Sequence, residues 1–271
     1  MPTIRYTDPV QVLVAVRGHP FDRTQFDAVF QRMEGIAASM VDQPAAARLM
    51  TPDGMRGFDA LVLYDMPGLD FSIAGSPPRY VAPPAGFASG FEALLQQGIG
   101  VVALHHALAG WPAWPRYADL LGGAFLYRPG RLNGRDCLDS GYAHAVDYEA
   151  YVVAEHPVTR GVPPTFAMRD ELYLCEIFED DVTPLLRTGA PMTRDHFYSA
   201  DAAVRGRMYD REGWEHAPGS NLIGWTKRAL ASPLVYLQPG DAADAYENPH
   251  YARLVENAIR WVVEETKRSS G

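Results

Sequence analysis

An apolar run, Val101-Val102-Ala103-Leu104, leads directly into two adjacent histidines, His105 and His106, and then into Ala107-Leu108. The run reads as a buried parallel strand, and in open α/β sheets ligands bind beyond the carboxyl ends of the strands. Imidazole titrates near neutral pH and ligates metals, so a pair at that point suits general acid–base or metal chemistry. The competing explanation is a core histidine satisfied by a hydrogen-bond partner. Neighbouring side chains on a strand point to opposite faces, so one ring of the two is expected to face a site.

Other polar groups fall at comparable positions. His19 follows a β-branched run, Val10–Val16, and Asp65 follows Phe58–Tyr64. In a parallel sheet such ends emerge along one edge, so topology alone would bring these residues and the histidine pair together. Arg169-Asp170-Glu171-Leu172-Tyr173 is either a solvated turn or a pair of carboxylates held into a cleft. His156-Pro157 reads plainly as a strand end, since a residue before proline is held extended. His144, His196, His216 and His250 are scattered in polar surroundings, and the last two are expected at the surface. No GxGxxG follows the first strand, and there is no GxxxxGK(S/T) or GxSxG, which disfavours a nucleotide cofactor and a serine nucleophile. Cys137 and Cys175 form no CxxC and lie outside any strand–turn–helix context. Two idle thiols in a reducing compartment are expected.

The 271 residues are 47% hydrophobic and 21% charged, with length enough to bury about three quarters of the unfolded surface. No repeat or linker divides them, and a single domain, 1–271, is the simplest account. A net charge of -9 without a Lys/Arg cluster argues against nucleic acid or an anionic membrane and favours a small molecule or a metal. No apolar run approaches the roughly 20 residues of a membrane span. Met1–Asp8 lacks a basic and then apolar leader, so a cytoplasmic location is expected. Disorder is expected only in the tail, Lys267–Gly271.

The elements that must position these residues follow from pattern. Val10–Val16 reads as a strand, and Phe21–Met40 as an amphipathic helix that Asp22 would cap. Ala47–Met50 is a weak strand candidate and Phe58–Tyr64 a stronger one. Pro67–Pro84 reads as loop, Phe87–Gln97 as helix and Ile99–Leu104 as strand. This order implies βαβ units and a mostly parallel, doubly wound sheet. Trp111–Leu121 reads as a short helix and Ala124–Gly141 as loop. Ala145–Ala154 and Val182–Thr188 read as strands, Asp195–Gly219 as an irregular flap, Ser232–Gln238 as a late strand and Tyr251–Thr266 as a helix.

Several blocks resemble the trehalose-utilisation (ThuA-like) family. Leu104-His105 resembles its strand-ending histidine. Trp111, Tyr117, Leu120 and Leu121, then Gly122-Gly123-Ala124-Phe125, resemble its W…Y…L-GG-x-F block. His156-Pro157-Val158-Thr159-Arg160-Gly161-Val162 followed by Asp170-Glu171-Leu172-Tyr173 resembles its HP-(I/V)-T-x-G-(L/V) and DELY signature. Tyr246-Glu247-Asn248-Pro249 and Ala258-Ile259-Arg260-Trp261 resemble its closing segment. Three positions depart from the pattern. Arg128-Pro129 stands for His-Pro, Lys227–Ser232 for a Gly-Lys-Gly-Arg turn, and Pro239-Gly240-Asp241 for Leu-Gly-His.

The resemblance implies a flavodoxin-like, class I glutamine amidotransferase-like α/β three-layer sandwich. Where such an amidotransferase carries its nucleophilic cysteine, this chain has His105-His106, so amidotransfer is not expected. The resemblance also implies carbohydrate catabolism, with a glycoside, a disaccharide or its 3-keto derivative as substrate and acid–base isomerisation or elimination as reaction. In that reading His105 or His106 is base or ligand, and Asp170 and Glu171 are their partners. Trp111, Trp114, Tyr142 and Trp214 would offer sugar platforms, with Asp65, His144 and Tyr173 as further substrate contacts. Packing of loops onto the domain explains the aromatics as well. His19, His105 and Glu171 form the ligand set a divalent ion such as Zn, Mn or Co would use, each from a separate loop. A non-catalytic sugar-binding or partner-binding module is the rival reading. A homodimer is common among such folds, although nothing in the sequence specifies an interface.

Overall fold

The structure, a computed structural model, describes residues 6–73 and 78–270. Its main sheet is built from Val10–Val16 (β1), Ile36–Asp42 (β2), Ala60–Leu63 (β3), Gly100–Leu104 (β4), Gly141–Val152 (β5), Thr165–Leu174 (β6), Thr183–Thr188 (β7), Leu222–Ala229 (β8) and Ser232–Leu237 (β9). The spatial order is β6-β5-β7-β8-β9-β4-β3-β1-β2, with the short strand Tyr198–Ser199 added on β5. From β2 to β9 the strands are parallel. From β9 outward they are antiparallel.

Parallel strands covered on both faces are nearly continuous apolar runs. On one face Val12, Val14, Val16, Val62, Val102 and Leu104 pack with helices α1 (Arg23–Gln31) and α4 (Pro249–Ser270). On the other, Leu13, Ala15, Leu61, Leu63, Val101 and Ala103 pack with α2 (Phe87–Gln96) and α3 (Arg116–Leu121). The result is the expected α/β three-layer sandwich. Among the described residues no helix is long and apolar enough to cross a membrane.

Several elements differ from the pattern reading. Asp22 does cap α1, accepting the Gln25 N–H at 2.9 Å. The helix ends at Gln31, however, and Gly35 at φ +70° turns the chain, so Ile36, Ala37 and Met40 belong to β2. Ala47–Met50 is not a strand. Ala45–Leu49 is a helical turn, consistent with three successive alanines, the best helix formers. β8 is hidden in sequence because its buried Leu222–Thr226 run is followed by Lys227 and Arg228. Ala124–Gly141 holds a small hairpin of Gly130–Leu132 with Arg135–Cys137. The tail expected to be disordered is helical through Ser270. Met1–Arg5, part of the expected Pro67–Pro84 loop and Gly271 lie outside the described residues.

Asp65 follows β3 but turns into the protein, where it is 1% exposed. Its Oδ2 accepts from Gln43 Nε2 at 2.6 Å, and Oδ1 makes no hydrogen bond among the described residues. Burial pushes the carboxyl up to about 6, against the Gln43 hydrogen bond, which favours the anion. The folded chain thus holds this proton more tightly than the unfolded chain. The resulting stability is full below the ordinary value of 3.8 and is lost as pH rises through about 6. Asp65→Asn should raise the unfolding free energy by about 2–3 kcal/mol at pH 7.5 and change little at pH 3.5. Denaturant melts at both pH values check this, and an equal effect at the two would contradict it.

Close approach of α4 to β4 depends on Gly100, where a Cβ would lie 2.7 Å from Val262 Cβ. Gly100→Ala should therefore destabilise the protein by about 1–3 kcal/mol in urea. An unchanged midpoint would show that the layers can part without loss.

Candidate active site at the carboxyl edge of the parallel strands

The ends of β1, β3, β4 and β9 lie side by side, so the residues that follow them share one edge of the sheet. His19 follows β1 through Gly18, at φ +111°, where any Cβ would run into the Met66 backbone. Glycine alone allows these two loops to approach so closely. His105 opens the turn after β4 at φ +33°, a left-handed conformation disfavoured for a side chain and held by surrounding bonds. Its carbonyl accepts from Tyr236 Oη at 3.1 Å, and its Nδ1 donates to the Gln238 carbonyl. Its Nε2 lies 2.9 Å from Glu171 Oε2.

Glu171 arrives from the antiparallel half of the sheet. Ala143 pairs with Leu172 and Val146 with Asp170, so His144 and Ala145 together oppose Glu171 alone. This is a β-bulge, a device that re-aims a side chain next to a site. It leaves Ala145 at φ +51° and sets His144 Nε2 2.9 Å from Glu171 Oε1. Tyr173, two residues on, donates its N–H to Gln238 Oε1 at 3.0 Å, tying the hairpin to the end of β9.

The electrostatics follow from these contacts. Burial works against the Glu171 charge, but the hydrogen bonds from His105 and His144 outweigh it and hold the carboxyl at about 2. Burial likewise opposes charge on His105, yet the Glu171 bond and the charges of Asp241, Glu171 and Asp170 push it up to about 9. His144 is raised chiefly by its Glu171 bond. His106 is driven well below its ordinary value by burial and then by His105 and His19, so its ring is neutral. An anion lies between two imidazoles, and one of these, His144, is 35% exposed.

A cleft of about 490 Å3 opens onto this chain of groups. Its lining combines His19, Tyr142, His144, Glu171 and Tyr173 with the apolar Met66, Phe71, Phe125, Val204 and Met208. The segment expected to form a flap contributes Ala200, Ala203, Val204, Gly206 and Met208. Among the described residues no Lys or Arg lines the cleft. Two larger surface hollows, along Val152–Pro164 and between Val146 and Pro191, contain none of these paired groups.

The structure thus gathers His19, Tyr142, His144, Glu171 and Tyr173 around one cleft, while His105 and His106 lie buried beneath it, outside its lining. Asp170 faces away from Glu171, as strand alternation requires. It accepts the backbone N–H of Gly240 at 2.6 Å and of Asp241 at 3.2 Å. Asp65 and Trp111 do not reach the cleft. Trp111 is buried against Phe87 and Gly68. Trp114 packs on Phe87 and Phe91, and Trp214 is in the core. His156 caps the turn Pro157–Thr159 and packs on Trp261. Cys137 and Cys175 are buried free thiols, and burial pushes both up.

Ligand atoms of His19, His105 and Glu171 do not cluster around one point, since His19 lies with a different group. The potential ligand atoms fall into two groups instead, His105 with Glu171 and Asp241, and His19 with His106 and Asp241. Asp241 is therefore the group that sequence reasoning missed, together with Gln238 and Tyr209. The strand-end rule that points to His19 applies equally to Asp241 after β9.

Comparison with known proteins places this geometry in a family. Among curated proteins no sequence match is found. A ThuA-like protein from Parabacteroides merdae superposes with a TM-score of 0.63 at 14% identity, over 94% of this chain and 90% of that one. One from Bacteroides uniformis gives 0.61 at 17% identity, over 97% and 95%. A protein described as a GMP synthase subunit, from Thermoplasma acidophilum, gives 0.52 at 9% identity, over 97% and 98%, so the fold is glutamine amidotransferase-like. The ThuA family model, described as trehalose utilisation, matches residues 11–262, and the chain belongs to that family.

Proposed function

We propose that the protein is an enzyme of carbohydrate catabolism that moves a proton on a 3-keto glycoside or disaccharide, with isomerisation or elimination as the outcome. Membership of the trehalose-utilisation family supports a carbohydrate as substrate. The observation that carries the reaction is the Glu171 carboxylate bonded to His144 in the lining of the cleft. A lining without Lys or Arg among the described residues suits an uncharged sugar better than a sugar phosphate, and its apolar side chains suit the faces of sugar rings.

A carbonyl acidifies the C–H bond beside it, so the reaction needs a base within reach of that hydrogen and a way to hold the charge the base acquires. His144 supplies both. Its Nδ1, now 3.2 Å from the Tyr209 hydroxyl, can exchange that partner for a substrate C–H, while Glu171 holds Nε2 and stabilises the imidazolium. The imidazolium then returns the proton to the enolate for isomerisation. For elimination the C1–O bond breaks as the C1–C2 double bond forms, and the departing oxygen takes the proton. His105 touches no cleft surface and acts as a positioning residue, fixing Glu171 from behind.

With the 3-keto form of trehalose as substrate, His144→Gln should lower kcat by about 100- to 10,000-fold with the fold intact by circular dichroism. In the wild type kcat/KM should rise with pH through a limb above the ordinary histidine value of 6.5, because the Glu171 hydrogen bond raises His144. Glu171→Gln removes that bond and should shift the limb to lower pH as well as slowing turnover. Full activity in both variants would defeat the assignment. Saturable binding without turnover in the wild type would return the protein to a sugar-binding role.

A further inference from the structure

We propose that His19, His106 and Asp241 form a site for a divalent first-row transition metal, zinc by preference, beside the Glu171 chain. The inference stands on these three residues and needs no particular substrate. They come from the loops after β1, β4 and β9, and one ligand atom from each lies within 4.8 Å of the others.

Two of those atoms lack a hydrogen-bond partner, although Asp241 Oδ1 also faces His105 Nε2 at 3.8 Å. His106 Nε2 and Asp241 Oδ1 are buried, make no hydrogen bond among the described residues and lie 3.6 Å apart. That separation is long for a hydrogen bond but close to the distance between two ligands of one tetrahedral ion, given metal–ligand bonds of about 2.0–2.2 Å. A buried imidazole nitrogen and a buried carboxylate oxygen that face each other without a hydrogen bond would both gain from a cation between them.

The surroundings fit ligand roles. His19 Nδ1 is 2.9 Å from the Pro20 carbonyl, which can only accept, so in the neutral ring Nδ1 carries the proton and Nε2 has the free lone pair. His106 Nδ1 is 3.3 Å from the Tyr173 hydroxyl, and its ring is flanked by His19 and Tyr64 at centroid distances of 4.1 and 4.9 Å. Asp170 fixes the backbone that carries Asp241 by accepting the N–H of Gly240 and of Asp241. Orientation of ligands by such outer contacts is the usual support of a metal centre.

Two imidazoles and a carboxylate are a donor set for zinc and for Co2+, Fe2+ or Mn2+, and three protein ligands leave a coordination position open. His19 lines the cleft, so that position faces substrate. There the ion would polarise a carbonyl oxygen, a role that rests on the keto-sugar reading above.

The test strips the purified full chain with chelator, adds ZnCl2, and measures bound metal by elemental analysis and affinity by calorimetry, without substrate. Co2+ loading supplies a visible spectrum that reports coordination number. One ion per chain is expected. His19→Ala, half-exposed and therefore safe for folding, and Asp241→Asn should each weaken binding by roughly 100-fold or more. Glu171→Gln should keep the metal although, in a separate assay with the keto-sugar, it slows turnover, which separates this site from the acid–base assignment. No bound metal in the wild type would overturn the proposal. So would undiminished binding in both ligand variants, or loss of metal in Glu171→Gln with the fold intact.

Discussion

A carboxylate removed from water stays ionised only if its lone pairs are taken up by strong donors, and Glu171 is 5% exposed. His105 and His144 satisfy its two oxygens, each at 2.9 Å. That requirement organises the site. It explains why His105 is held in a left-handed conformation, why the β5–β6 hairpin carries a bulge at His144 and Ala145, and why Tyr173 is tied to Gln238. Each feature brings a donor to Glu171 or keeps one from moving away.

The sheet has two halves with different tasks. Its parallel half, buried on both faces, supplies rigid strand ends from which His19, His105, His106 and Asp241 project. Its antiparallel half supplies a long hairpin whose far end returns to that edge with Glu171, His144, Tyr142 and Tyr173. The bond between His105 and Glu171 joins the two halves. The fold is glutamine amidotransferase-like, and the position after β4 carries two imidazoles. A fold of this kind hosts many chemistries, and the site decides which.

Much of the parallel half is legible in the sequence because buried parallel strands are continuous apolar runs bounded by turns. Val10–Val16 and Ile99–Leu104 stand out for this reason, and the strand-end rule then points to His19 and the histidine pair. The helix read through Met40 fails because Ile36, Ala37 and Met40 continue a helical spacing by coincidence, and only Gly35 marks the break. The antiparallel half is harder to see. β8 is partly solvated, and the bulge that aims His144 follows from the pairing of β5 with β6, which no local pattern encodes. Which member of Asp170 and Glu171 faces the cleft likewise depends on strand register. Asp241 lies a few residues beyond the glutamine that ends the late strand as read, where a turn conceals its role.

In the proposed reaction a base in this cleft removes a proton from the carbon beside a sugar carbonyl. Proton NMR of a 3-keto disaccharide incubated with the protein in D2O tests it most directly. The hydrogen on the carbon next to the keto group should leave that carbon as the substrate is converted, and His144→Gln should abolish its loss. Conversion of the substrate with that hydrogen fully retained would contradict it.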